Sequence, residues 1–179
     1  LQENLLDFPG MVFSQLPARI YPNPAKLSHA LGYLREVTEK QLNNRETNIN
    51  YKIRDIYGAI GLENQYESTL RGIDGFEYHT VDIYGRDHGI ILTEKQYNQK
   101  SGEPLYLTID SHIQYMAEKR MEGLTGALIC MNPNNGDVLA MVSNPDFDLS
   151  SFVGPISTEI WDNWNSDDKK PMLNRVING

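Results

Sequence analysis

One cysteine, Cys130, is all that the 179 residues hold, so no disulfide can close within the chain. Inside the apolar run Ala127–Met131 it reads as a small packing residue, with no basic neighbour in sequence to activate the thiol. The redox compartment stays open on this count. No apolar run approaches the ~18 residues that a membrane helix needs, and no leader of basic-then-apolar character opens the chain. Cations are scarce: 16 Lys and Arg stand against 24 Asp and Glu, a net charge of −8. That argues against nucleic acid as a partner, because such binding rests on Lys and Arg neutralising phosphates. It argues equally against a polybasic membrane patch. Internal repeats and low-complexity tracts are lacking too. The opening Leu1-Gln2-Glu3-Asn4 and the close Val176-Ile177-Asn178-Gly179 are expected to be cuts through a longer protein.

Hydrophobic residues make up 40% of the chain, enough to bury a core in one ordinary domain or two small ones. Turn formers at Pro9-Gly10, Pro17, Pro22 and Pro24 separate Met11–Phe13 and Arg19–Tyr21, which read as short strands. Thr38 with Gln41 has the capping-box spacing for a short helix through Leu42. The clearest helix spans Gly61 to Arg71, with Leu62, Tyr66 and Leu70 on one face and Glu63, Glu67 and Arg71 in a polar row. The Glu67–Arg71 spacing suits an ion pair, and Gly72 stands where a left-handed cap is wanted. A hairpin follows, Phe76–Ile83 and Gly89–Leu92 around Tyr84–Asp87. At Pro104 the character changes. Leu105–Ile109 reads as a strand, and Asp110 as the cap of a helix carrying Ile113, Met116, Ala117 and Met121. Ala127–Met131 and Val138–Val142 flank Asn132-Pro133-Asn134-Asn135-Gly136, a hairpin signal. Both strands are apolar on both faces and belong in the middle of a covered sheet. The stretch from Asn144 to Gly179 reads as loop-rich, anchored by Trp161 and Trp164. The expected class is α+β: a β-rich first part with short helices over residues 1–103, then a helix and a hairpin of an incomplete sheet over 104–179.

Candidate chemistry is thin. His79, Asp82, Asp87 and His88 gather around one hairpin but lack the paired spacing of zinc ligands, and read as polar positions on a half-exposed ribbon. His29 and His112 read as structural. The pairs Glu63/Glu67, Asp146/Asp148 and Asp167/Asp168 could be cast as the two carboxylates of a glycosidase, but read as solvated faces. Ser166-Asp167-Asp168-Lys169 fits S-x-x-K, and Lys100-Ser101-Gly102 fits K-[ST]-G, both parts of the penicillin-recognising site. Their order is reversed and the intervening Ser-x-Asn motif is missing. Asp167 and Asp168 would also hold Lys169 protonated, when an acylating serine needs a neutral amine one helical turn away. Catalysis through Ser166 and Lys169 is kept only as an alternative. No cofactor and no metal are expected.

Beyond these fragments the chain resembles the class B penicillin-binding proteins, and among them the elongation type. The resemblance rests on Phe8-Pro9-Gly10-Met11, Arg19-Ile20-Tyr21-Pro22 and His29-Ala30-Leu31-Gly32-Tyr33. Its most specific piece is Gly58, Gly61, Leu62, Glu63, Tyr66, Glu67, Leu70, Arg71 and Gly72. In the second half it runs through Leu107-Thr108-Ile109-Asp110, Gln114, Gly126-Ala127, Asn132-Pro133, Gly136 and Val138–Ser143, then Pro145–Asp148 and Phe152-Val153. It closes on Pro171-Met172-Leu173-Asn174-Arg175. Ser150-Ser151-Phe152 departs from the family's usual Pro-Asn-x-Phe.

The resemblance implies a pedestal, or dimerisation domain, over 1–103 and the start of a transpeptidase domain over 104–179. It implies no catalytic residue in this chain, with the serine nucleophile a few residues beyond Asn174-Arg175. It places the body on the periplasmic face of a bacterial inner membrane, held by an amino-terminal anchor. Implied substrates are peptidoglycan stem peptides, with β-lactams acylating the same serine. Implied partners are a RodA-type glycan polymerase and an MreC-like scaffold. A division-specific transpeptidase is the alternative within the family. The hairpin 127–142 would lack its sheet neighbours, and is expected to be disordered, repacked on the pedestal, or paired with a second copy.

Overall fold

The computed structural model describes residues 19–21, 24–42, 51–53, 55–76, 78–91 and 98–178. The expected strand at Met11–Phe13 lies outside them. Local signals account for most elements. α1 (Ser28–Leu31) leads into β1 (Leu34–Glu36), α2 (Glu39–Leu42) and β2 (Ile56–Gly58). β1 and β2 pair antiparallel, Leu34 against Gly58 and Glu36 against Ile56. The helix expected over Gly61–Arg71 is two shorter ones, α3 (Gly61–Gln65) and α4 (Glu67–Leu70), parted at Tyr66. Gly72 does take a left-handed φ of 77°. β3 (His79–Val81) and β4 (Asp87–Ile90) form the expected hairpin, shorter than its apolar run. Arg19–Tyr21, expected as strand, is irregular.

The second half holds α5 (Ser111–Met121), β5 (Gly126–Met131), β6 (Val138–Asn144), a 3₁₀ turn (Leu149–Phe152), α6 (Thr158–Ser166) and α7 (Arg175–Asn178). Asp110 caps α5 as anticipated, its Oδ1 accepting from His112 N and Ile113 N at 2.9 Å each. Leu105–Ile109 is extended but is no strand. It meets β6 only through Thr108 Oγ1 donating to Val138 O, and through Asp110 N donating to Leu139 O. α6 stands within the stretch expected to be loop-rich after Asn144, a helix not singled out from the sequence.

The β5–β6 hairpin forms within one chain, from Gly126↔Asn144 to Met131↔Val138. Its inner face packs Leu128, Cys130, Ala140 and Val142 on Ala117 and Met121 of α5. The outer face is open in part: Ile129 is 49% and Met131 54% exposed, but Ser143 on the same face is 4% exposed. Two covered faces were expected from composition; α5 covers one, and on the other α7 approaches both strands and Ser143 is buried, while Ile129 and Met131 stay open.

The larger core draws on both sides of residue 103. Tyr33 stacks on Phe152 with ring centres 4.1 Å apart, and Phe147 meets both edge-on. Trp164 stacks on Phe152 at 5.6 Å, and Trp161 lies under the Arg35 guanidinium at 4.5 Å, so both tryptophans anchor the last third. Two glycines fix how closely the chain crosses itself beside this core. Gly32 and Gly61 both have positive φ, and a Cβ on Gly32 would lie 2.0 Å from Ile60 O. Only glycine fits such an approach. The class is α+β, as expected.

Candidate functional site

The motif Gly58–Gly72 folds into a knot of charge. Gly58 ends β2, donating its N–H to Glu67 Oε2 at 2.7 Å and accepting from Asn64 Nδ2 at 2.7 Å. Leu62 and Leu70 are half-buried, and Tyr66 stays exposed at the break between helices. Glu63 is 7% exposed and accepts from Arg19 Nη2 at 2.8 Å. Burial pushes its carboxyl above the ordinary range, Arg19 pulls it back, and Glu67 adds repulsion. Tyr21, beside the same carboxylate, is pushed up by burial first and by Glu63 second. Glu67 accepts from Tyr51 Oη at 3.1 Å and lies 3.6 Å from Arg71 Nη1, the pair its spacing suggested. Arg71 finds its closer partner in Asp55, at 2.5 Å, and lies over the Tyr51 ring at 4.4 Å. Glu63 and Glu67 are thus no solvated face: each is committed to cations or backbone donors.

A second cluster joins the two halves. Lys26 N and Leu27 N donate to the Glu118 carboxylate of α5 at 2.9–3.0 Å. Ser28 Oγ donates to Phe147 O at 2.6 Å. Gln114 is 0% exposed. Its Oε1 accepts from Met141 N at 2.7 Å and its Nε2 donates to Met141 O at 3.0 Å, so the amide serves β6 as a strand neighbour would. His29 donates from Nε2 to Pro171 O at 2.9 Å and meets the Phe147 ring edge-on. Burial lowers its pKa, against the Pro171 hydrogen bond and the Asp146 charge, which raise it; Arg175 lowers it further. Asn174 Nδ2 donates to His29 O at 3.4 Å. Arg175 N donates to Ser143 Oγ at 3.0 Å, and its guanidinium folds back on the carbonyls of Lys169, Lys170 and Leu173.

The remaining candidates have local roles. Asp82 accepts from Tyr84 N and Arg86 N at 2.9 Å and from Arg86 Nε at 2.6 Å, and these bonds, the Arg86 backbone first, hold its pKa low. His88 lies 3.6 Å from that carboxylate. Asp148 caps the 3₁₀ turn through Ser150 N. α6 ends at Ser166, whose Oγ donates to Asp162 O at 2.7 Å; Lys169 lies in the next turn rather than one helical turn along. Lys100 forms an isolated bridge with Ile73.

Gln114 was legible only through the resemblance, and Ser143 as one letter in an apolar strand. Glu118 gave no signal, since a carboxylate on an amphipathic helix reads as surface.

The model of the penicillin-binding protein dimerisation domain matches residues 1–107. The peptidoglycan D,D-transpeptidase MrdA of Escherichia coli K12 is 32% identical over 179 residues, 98% of this chain. The chain spans 28% of the length of that relative. Among solved structures, the complex between PBP2 and MreC from Helicobacter pylori aligns with a TM-score of 0.81 at 30% identity, over 100% of this chain and 32% of that one. Pseudomonas aeruginosa PBP2 in complex with WCK 5153 aligns with a TM-score of 0.69 at 33% identity, over 93% and 32%.

Proposed function

The chain belongs to the penicillin-binding protein family, and from that premise we propose that it is the support of an elongation-type peptidoglycan D,D-transpeptidase. In this reading residues 1–103 are the pedestal and 104–179 open the transpeptidase domain, with the acylated serine outside these residues. The boundary is supported by where the connector bonds: Lys100 and Glu103 reach back to Ile73 and Thr69, while Thr108 and Asp110 bond forward to β6. The chain's work is positioning and contact. Its seat is the periplasmic face of the inner membrane, with a RodA-type polymerase and an MreC-like scaffold as partners. The 179 residues include no helix, among those described, long and apolar enough to cross a membrane.

The observation that carries this reading is the whole-chain alignment with PBP2 as it stands in its complex with MreC. Two measurements test it. Fluorescent penicillin should label the longer protein covalently at a serine beyond Gly179, and the label should persist in a Ser166→Ala variant. A pull-down with the MreC-type scaffold of the same organism should retain the 179-residue chain. Label lost on Ser166→Ala would move the chemistry into this chain. A scaffold that ignores the chain would remove the partner assignment.

A further inference from the structure

We infer that Ser143 and His29 are positioning residues for acyl transfer, acting through the segment Pro171–Arg175; this rests on the transpeptidase reading above. That segment enters α7 held from two sides. From α1, His29 donates to Pro171 O and accepts, through its own carbonyl, from Asn174. From β6, Ser143 Oγ donates to Leu173 O at 3.0 Å while accepting from Arg175 N at 3.0 Å. The hydroxyl has one proton and it goes to Leu173, so donor and acceptor roles are both spent on this segment.

Ser143 is 4% exposed and lies on the face of β6 opposite Ala140 and Val142, away from the α5 core. A buried hydroxyl is tolerated only when bonded. What Ser143 adds is a fixed register between β6 and the first residue of α7. Arg175 completes the clamp by turning its guanidinium onto the carbonyls of the preceding turn. A nucleophile carried onward from α7 inherits that register. Misplacing a reacting group by an ångström costs up to about 100-fold in rate.

The test uses the full-length protein and the kinetics of acylation by labelled penicillin. Ser143→Ala should slow the acylation step by about 10- to 100-fold, with initial non-covalent binding within about 2-fold of wild type. Val142→Ala weakens the same strand through the α5 core and leaves the clamp intact, so it should acylate at the wild-type rate. Arg175→Lys, which keeps the charge but loses the fork onto the carbonyls, should fall with Ser143→Ala. His29→Ala should do the same, and His29→Gln, whose amide can still donate to Pro171 O, should recover part of the rate. Ser143→Ala at the wild-type rate, or Val142→Ala slowed as much, overturns the assignment. Should Ser143→Ala fail to fold, Arg175→Lys at the wild-type rate overturns it instead. A wild-type protein that takes no label sinks the transpeptidase reading itself, and the assignment with it.

Discussion

Glu63 sits 7% exposed with the Arg19 guanidinium 2.8 Å away, yet its pKa lies above the ordinary carboxylate value because burial outweighs that attraction. The folded state therefore holds this proton more tightly than the unfolded chain. Stability from this group is present at acid pH and is lost as pH rises through the raised value. Arg19→Met should destabilise the chain near neutral pH by roughly 1–2 kcal/mol, less than for a fully buried pair because 40% of the Arg19 side chain is exposed. In urea unfolding the deficit should shrink toward about pH 4, as Glu63 takes up its proton; a deficit independent of pH would mean that Arg19 acts through packing alone. His29 has the opposite sign. Its folded pKa is depressed by burial, so the unfolded chain binds the proton first and stability falls as pH drops below about 6.5. His29→Gln should flatten that fall, read as the slope of unfolding free energy against pH.

Among elements, the crossing of α1 and α3 is the least forgiving. Gly32→Ala places a methyl 2.0 Å from Ile60 O at a φ of 80°. It should cost about 2–5 kcal/mol, the sum of left-handed strain and overpacking. Asp110→Ala removes the acceptor for two α5 N–H groups and should cost about 1 kcal/mol in thermal or urea unfolding. Asp110, Gly72 and the Asn132–Gly136 turn were readable in the sequence because each signal and its partner lie within a few residues. The β1–β2 pairing was not, since three-residue strands carry no periodicity and their partner is distant. The Glu63–Arg19 pair spans 44 positions, so acidic spacing along a helix could not tell a committed carboxylate from a solvated one. Leu105–Ile109 has strand composition but bonds to β6 only through the Thr108 hydroxyl, the backbone donor beside it being Asp110. α6 is not legible in the sequence, because two tryptophans three residues apart among polar residues mark anchors more plainly than the face of a short helix.

For the whole molecule, the two halves share a core, so the residues on either side of 103 should unfold together. Phe147→Ala, at the centre of the aromatic cluster, should cost about 3–5 kcal/mol, and loss of Tyr and Trp fluorescence signals should coincide in one transition. The open edge of the β5–β6 ribbon is where self-association is expected. Its β6 side is occupied: residues 108–114 reach Val138, Leu139 and Met141, and Gln114 takes both backbone groups of Met141. Its β5 side meets no further strand among the described residues. A ribbon open on both edges could add copies end to end without limit, whereas this one offers a single edge and would close after two, by a twofold axis. Light scattering on the 179-residue chain should therefore plateau at a dimer as concentration rises, and Ile129→Lys should hold it monomeric. Gln114 thus does more than satisfy a strand: by occupying the β6 edge it acts as a chain terminator in the polymer sense, so that the association expected above stops at two copies.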